Sequence, residues 1–195
     1  MPEHPRDGRA GTVNGVRSPS VVDTWGTSAH ERAAVYPCDG LIASPGGAVF
    51  RGVDVAAPAG LVFRWLCQLR TAPYSYDWVD NLGRRSPRRL IEGPDQLEVG
   101  QRFMSIFRLV SFEEGRSITL DSTSALFGRV AGTYLVVPTD TDQSRLVVKL
   151  AFAAPRGLLG PVVRRLLPAG DLVMMRKQLL TLKALAERDA REASD

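Results

Sequence analysis

Between Phe103 and Phe152 the chain presents strand-like segments in immediate succession: Phe103–Phe112, Ser117–Ser122, Arg129–Val137 and Arg145–Phe152. The links between them are short and have turn composition: Glu113-Glu114-Gly115, Leu126-Phe127-Gly128 and Thr139 to Gln143. Parallel neighbours need long crossovers, so links this short imply antiparallel hairpins in a meander. In the last segment Leu146, Val148, Leu150 and Phe152 alternate onto one face. A sheet of this kind has an apolar face that another element must cover.

The C-terminus supplies the cover. After Pro168-Ala169-Gly170, Asp171 reads as a helix N-cap, and Leu172, Met175, Leu179, Leu182 and Ala186 form a stripe at helical spacing. The pattern predicts a helix of about 20 residues, ~30 Å long. Upstream, Ala48–Val55 reads as the first strand. Ala57-Pro58 then opens a helix whose apolar face is Leu61, Val62, Trp65, Leu66 and Leu69, and a second short helix is expected over Ser75–Asn81. Gly83–Pro94 reads as a polar loop. Residues 1–21 read as a disordered tail, 22–190 as one domain and 191–195 as a short polar end. Within the domain, Trp25 to Pro45 is irregular, with Trp25, Val35, Tyr36, Leu41 and Ile42 as candidates for burial. The class is α+β. A curved antiparallel sheet wrapped around a long helix leaves a cavity wherever side chains do not fill the gap.

Several kinds of chemistry are excluded. Cys38 and Cys67 are far from any CxxC spacing, and His4 and His30 both precede the first strand, which argues against a zinc site, a Ser-His-Asp triad or any metal centre in the core. No phosphate-binding GxxxxGK[ST] loop occurs. The net charge is +4, but Arg84, Arg85, Arg88, Arg89 and the pair Arg164-Arg165 lack interleaved aromatics, so no nucleic-acid partner is expected. No run approaches the ~20 apolar residues of a membrane span and no secretory signal is visible, so a cytoplasmic protein without stable membrane insertion is expected. The oligomeric state is left open.

The element order resembles the helix-grip fold of the START-like, Bet v 1-like (SRPBCC) superfamily. WGTSAHE at Trp25–Glu31, PCD at Pro37–Asp39 and VDVAAPAGLVFRWLCQL at Val53–Leu69 are similar to a bacterial branch related to polyketide cyclase/dehydrase and lipid-transport proteins. So are YSYDWVDNLG at Tyr74–Gly83, QLEVGQRF at Gln96–Phe103, SRLVVKL at Ser144–Leu150 and LVMMRKQLLTLKALAE at Leu172–Glu187. The resemblance implies a hydrophobic small-molecule ligand held between sheet and helix, lipid- or polyketide-like. The alternative it implies is a cyclase, aromatase or dehydratase working in that cavity without metal or organic cofactor. The chain departs from the branch at Gly100-Gln101, where Gly-Asp is frequent, and at Lys149, where arginine is frequent.

Tyr74, Tyr76 and Asp77 form the densest polar-aromatic cluster: either acid/base and enolate-steadying groups, or a helix cap with its rings on the sheet. Asn81 is a candidate hydrogen-bond partner for a ligand carbonyl. Arg108 is in phase with Met104, Ile106, Val110 and Phe112, and so is either an outward charge or a cavity group, paired with a carboxylate such as Asp121 or with an anionic ligand and a candidate for the acid/base and oxyanion set of a cyclase. Lys149, out of phase with Leu146, Val148 and Leu150, is expected to face solvent. Trp65, Tyr134, Met174, Met175 and Gln178 complete the candidate ligand-binding set, the thioethers suiting a permissive cavity. Cys67 reads as an inert buried thiol, and Gly157–Pro168 as either an apolar gate or a connector.

Overall fold

β-branched residues at alternate positions commit β1 (Pro45–Val55) to one inner face, Val49, Val53 and Val55, with Arg51 in the same phase. In this computed structural model, which describes residues 20–43, 45–76, 85–104, 106–124, 128–153 and 160–194, β1 leads into α3 (Ala59–Cys67). Pro58 caps α3, its carbonyl accepting from the amides of Leu61 and Val62. Before β1 come α1 (Val21–Thr24), α2 (Ala29–Ala33) and a 3-10 turn at Pro37–Gly40; after α3 comes a 3-10 turn at Gln68–Arg70. Then follow β2 (Arg102–Phe103), β3 (Phe107–Glu113), β4 (Ser117–Ser124), β5 (Gly128–Asp140), β6 (Gln143–Ala153) and α4 (Gly160–Glu192).

The six strands form one antiparallel sheet in the order β1-β6-β5-β4-β3-β2. The meander places β6 in the interior, so the first strand docks on the last. Register aligns the inward residues: Val53 pairs with Leu146, Val136 with Leu146, Tyr134 with Val148, Gly132 with Leu150, and Leu120 with Gly132. α4 covers this curved inner face. Leu179, Leu182 and Ala186, each at most 1% exposed, join Trp65, Leu66, Leu69, Leu109 and Ile118 in one apolar core.

The outer face has its own cover. Tyr36, Cys38 and Ile42 pack on Ala131, Val147 and Ala151 in a second apolar cluster. The Cys38 amide donates to Thr133 Oγ1 at 3.1 Å, and Arg145 binds Glu31 at 2.7 Å and Asp54 at 3.2 Å. Gly26 lies so close to β1 that a Cβ there would sit 2.2 Å from the Gly52 carbonyl oxygen, and its φ of +72° is left-handed. The capping box of α2, Ser28 with Glu31, turns the chain into this path.

Several expectations change. Lys149 is on the outer face but is not solvated: its side chain is 13% exposed, ion-paired to Asp39 and 5.2 Å from the ring centroids of both Tyr36 and Phe50. Face alternation tells which side a residue takes, not whether another segment covers it. Val35, expected to be buried, is 91% exposed. The expected strand over Phe103–Phe112 is interrupted after Phe103, where Met104 takes a left-handed φ of 45°. The final helix spans 33 residues, ~50 Å, and runs through Pro168, so Asp171 lies inside it rather than at its N-cap. Residues 160–168 of the expected gate belong to α4, and 157–159 lie outside the described residues, as does most of the expected helix over Ser75–Asn81.

Candidate functional site

A cavity of about 340 Å³ lies between the inner face of the sheet and α4. Its floor exists because β5 has a glycine there: a Cβ on Gly132 would fall 2.3 Å from Leu150 Cδ2. Leu120, Leu150 and Tyr134 surround that floor, Met174 and Met175 hang from α4, and Pro73, Met104 and Phe107 form the side wall. Tyr74 and Met104, both non-glycine residues with left-handed φ (55° and 45°), flank this wall. The Met104 amide donates to the Leu69 carbonyl at 2.9 Å, which ties the wall to the 3-10 turn after α3. Such backbone is costly and persists where surrounding structure holds it, often beside a binding site.

Two polar constellations reach this space. Tyr134 Oη donates to Gln178 Oε1 at 2.7 Å, and Gln178 Nε2 donates to the Pro73 carbonyl at 2.7 Å. Burial raises the Tyr134 pKa far above that of an ordinary phenol, so this hydroxyl is a neutral donor and no base. The second constellation is an ion pair. Asp171 Oδ2 accepts from Arg51 Nη2 at 2.8 Å, with Arg51 fully buried and the Asp171 side chain 14% exposed. Burial pushes the Asp171 carboxyl up to about 6, and the attraction of Arg51 offsets this only in part. Among the described residues, no group of three His, Cys, Asp or Glu side chains is arranged to hold a metal ion.

No protein-family model matches this chain, and no curated protein matches it. Solved structures do. The aromatase/cyclase Zhui from Streptomyces sp. R1128 superposes with a TM-score of 0.52 at 21% identity, over 75% of this chain and 97% of that one. The chain shares this helix-grip fold. A Mesorhizobium loti protein (TM-score 0.49, 16% identity, 73% of this chain and 98% of that) and a START superfamily protein from Mycobacterium smegmatis (0.45, 17%, 76% and 99%) are also similar.

Within the helix-grip frame, Tyr134, Met174, Met175 and Gln178 line the cavity together. Trp65 does not: it is fully buried in the core, edge-on to Tyr74 at 5.9 Å, with Nε1 donating to Asp189 Oδ2 at 3.0 Å. Tyr74 is 1% exposed, and Tyr76 lies at the surface at 36%. Arg108 is an outer-face residue: it is exposed, aligned with Asp121, and donates to the Gly100 carbonyl at 3.1 Å. Asp121 is taken by Arg129 at 2.8 Å. Leu109, one residue on, is the buried member of β3, so Val110 and Phe112, the β3 residues in phase with Arg108, are not its core residues. Cys67 is fully buried, and its thiol is pushed up to about 12 by that burial. Asp77 and Asn81 lie outside the described residues. Sequence reasoning missed Arg51 and Asp171. The available signals were an arginine in phase with Val49, Val53 and Val55, and an aspartate four and seven residues before Met175 and Gln178.

Proposed function

We propose that this helix-grip domain binds a hydrophobic or amphipathic small molecule, lipid- or polyketide-like, in the cavity between sheet and α4. One observation carries the reading. The cavity of about 340 Å³ is walled mostly by apolar side chains, and the hydrogen-bonding groups Tyr134 and Gln178 are already joined to each other. Such a wall gains little from a polar ligand. It gains from covering apolar surface, at ~25 cal/mol for each Å² removed from water. The volume is at the small end of ligand cavities, ~300–1,000 Å³. Met174 and Met175 let the roof adapt to shape.

Asp171 favours a second reading, a cofactor-independent cyclase, aromatase or dehydratase. A carboxyl raised to about 6 at a cavity wall is matched to proton transfer near neutral pH. The structural neighbour Zhui is named an aromatase/cyclase. Tyr74, Tyr76 and Arg108 lie off the cavity wall and Asp77 lies outside the described residues, and among the described lining residues Asp171 is the group suited to the acid/base role in such a reaction.

Native mass spectrometry of the purified chain, with extraction of any retained molecule, tests the first reading. A neutral apolar dye is the second probe: it should bind the wild-type chain and fail to bind Gly132→Val. Absence of both retained ligand and dye binding overturns the reading. Turnover of a polyketide-like substrate that Asp171→Asn abolishes, with binding retained, would establish the second.

A further inference from the structure

Among the described residues lining the cavity, Asp171 alone carries a charged group. Its partner Arg51 stands behind it: fully buried, with Nη1 donating to the Phe50 carbonyl at 2.9 Å and Nη2 to Asp171 at 2.8 Å. Arg51 is not among the lining residues, so a molecule in the cavity meets the carboxylate before the guanidinium. An anionic head group entering there would lose its hydration and face a like charge in a weakly screened space. A hydroxyl would bring a donor to an ionised acceptor, a stronger bond than one between neutral groups. On the reading that the cavity holds a ligand, we propose that Asp171 selects apolar molecules bearing a neutral hydroxyl, an alcohol or a phenol, over anion-headed molecules of the same shape.

The energetics of the pair support this. Burial raises the carboxyl to about 6 despite Arg51, so keeping it ionised near neutral pH works against folding. A charge that opposes folding and sits at a cavity wall fits a role toward what the cavity holds. Among the described residues, the charged and titratable groups acting on the pair include Arg51 from β1, Asp23 from α1, which acts on Arg51, and Tyr134 from β5, which burial keeps neutral. Protonation of Asp171 therefore weakens the discrimination as the medium is acidified.

The test is displacement of the neutral dye N-phenyl-1-naphthylamine from the full chain by 1-octanol and by 1-octanesulfonate, whose charge does not titrate. Near pH 8 the alcohol should compete about tenfold better or more, and near pH 5 that ratio should fall several-fold through tighter binding of the sulfonate. Asp171→Asn should show the reduced ratio at both pH values. If Asp171→Asn does not fold, the wild-type pH comparison decides alone. A sulfonate that competes as well as the alcohol near pH 8, or a ratio indifferent to pH, overturns the selection while leaving the cavity reading intact. A dye that does not bind at all removes the ligand cavity, and the selection with it.

Discussion

Tyr134 of β5 and Gln178 of α4 hold the sheet and the helix together across the cavity. The phenol donates to the amide oxygen at 2.7 Å, and the same amide reaches the Pro73 carbonyl at 2.7 Å. Both side chains are almost fully buried, at 2% and 3% exposure, so the contact sets the height of the roof over the floor at Gly132.

Tyr134→Phe removes the donor and leaves Gln178 Oε1 without that partner in a buried site. The expected loss is about 1–3 kcal/mol of stability. Chemical denaturation reads it directly. Pairing the change with Gln178→Met should recover part of the loss, since the orphaned acceptor goes too. A Tyr134→Phe variant as stable as wild type would show that the bond does not hold the roof.

The Arg51–Asp171 pair should give a pH-dependent stability of defined sign. Asp171 is raised from 3.8 to about 6, so between those values the folded chain binds more protons than the unfolded chain. This group's contribution therefore falls as pH rises across that window and is flat above it. Urea unfolding of Asp171→Asn across pH should lack that fall. Arg51→Met, by contrast, buries an uncompensated carboxylate and should cost about 3–5 kcal/mol near pH 8, with relief on acidification. The double change Arg51→Met with Asp171→Leu should regain most of that loss.

The segment over the outer face should loosen in acid. Burial alone would raise the Glu31 pKa, but hydrogen bonds from the Arg145 side chain and the Ser28 amide, with the charge of Arg145, hold it below 4.5. Its stabilising contribution is present above the unfolded value of about 4.5 and is lost as pH falls through the lowered folded value. Trp25, whose carbonyl accepts from the Gly52 amide at 3.1 Å, reports on this segment through its fluorescence. Glu31→Gln should give the loosened signal at neutral pH, together with faster proteolysis before β1.

Gly132→Ala should reduce the cavity. Its Cβ would stand 2.3 Å from Leu150 Cδ2, so that side chain must move into the space above the floor. A destabilisation of about 1–3 kcal/mol is expected from the overpacking. Weaker binding of a neutral apolar dye should accompany it. Unchanged dye affinity would place the binding elsewhere.

Much of the fold is legible in the residues. The short turns between Phe103 and Phe152 permit an antiparallel meander and little else, and the Leu172–Ala186 stripe needs an apolar face to lie on. The alternation of Leu146, Val148, Leu150 and Phe152 set the inner face of β6 correctly, because side chains in a strand must alternate. Periodicity does not carry across Phe103–Phe112. The left-handed turn at Met104 breaks the strand, and the buried phase of β3 runs through Leu109 and not Arg108. The helix start read at Asp171 rests on Pro168 and Gly170, whose poor helix propensity does not interrupt the helix in this fold.

The sequence by itself determined the order of the elements, the antiparallel pairing and the apolar faces. Those depend on local spacing, turn chemistry and the alternation of side chains, all carried by neighbours along the chain. Only the tertiary structure decided what each face meets. It put Lys149 beneath the Asp39 turn, Trp65 in the core instead of the cavity, and Arg51 of β1 against Asp171 of α4 across 120 positions of sequence. Gly132 shows the same limit: a glycine within a strand leaves room, but only the approach of Leu150 and α4 makes that room a cavity. Burial and pairing are properties of the surroundings that folding brings together, so no local pattern records them.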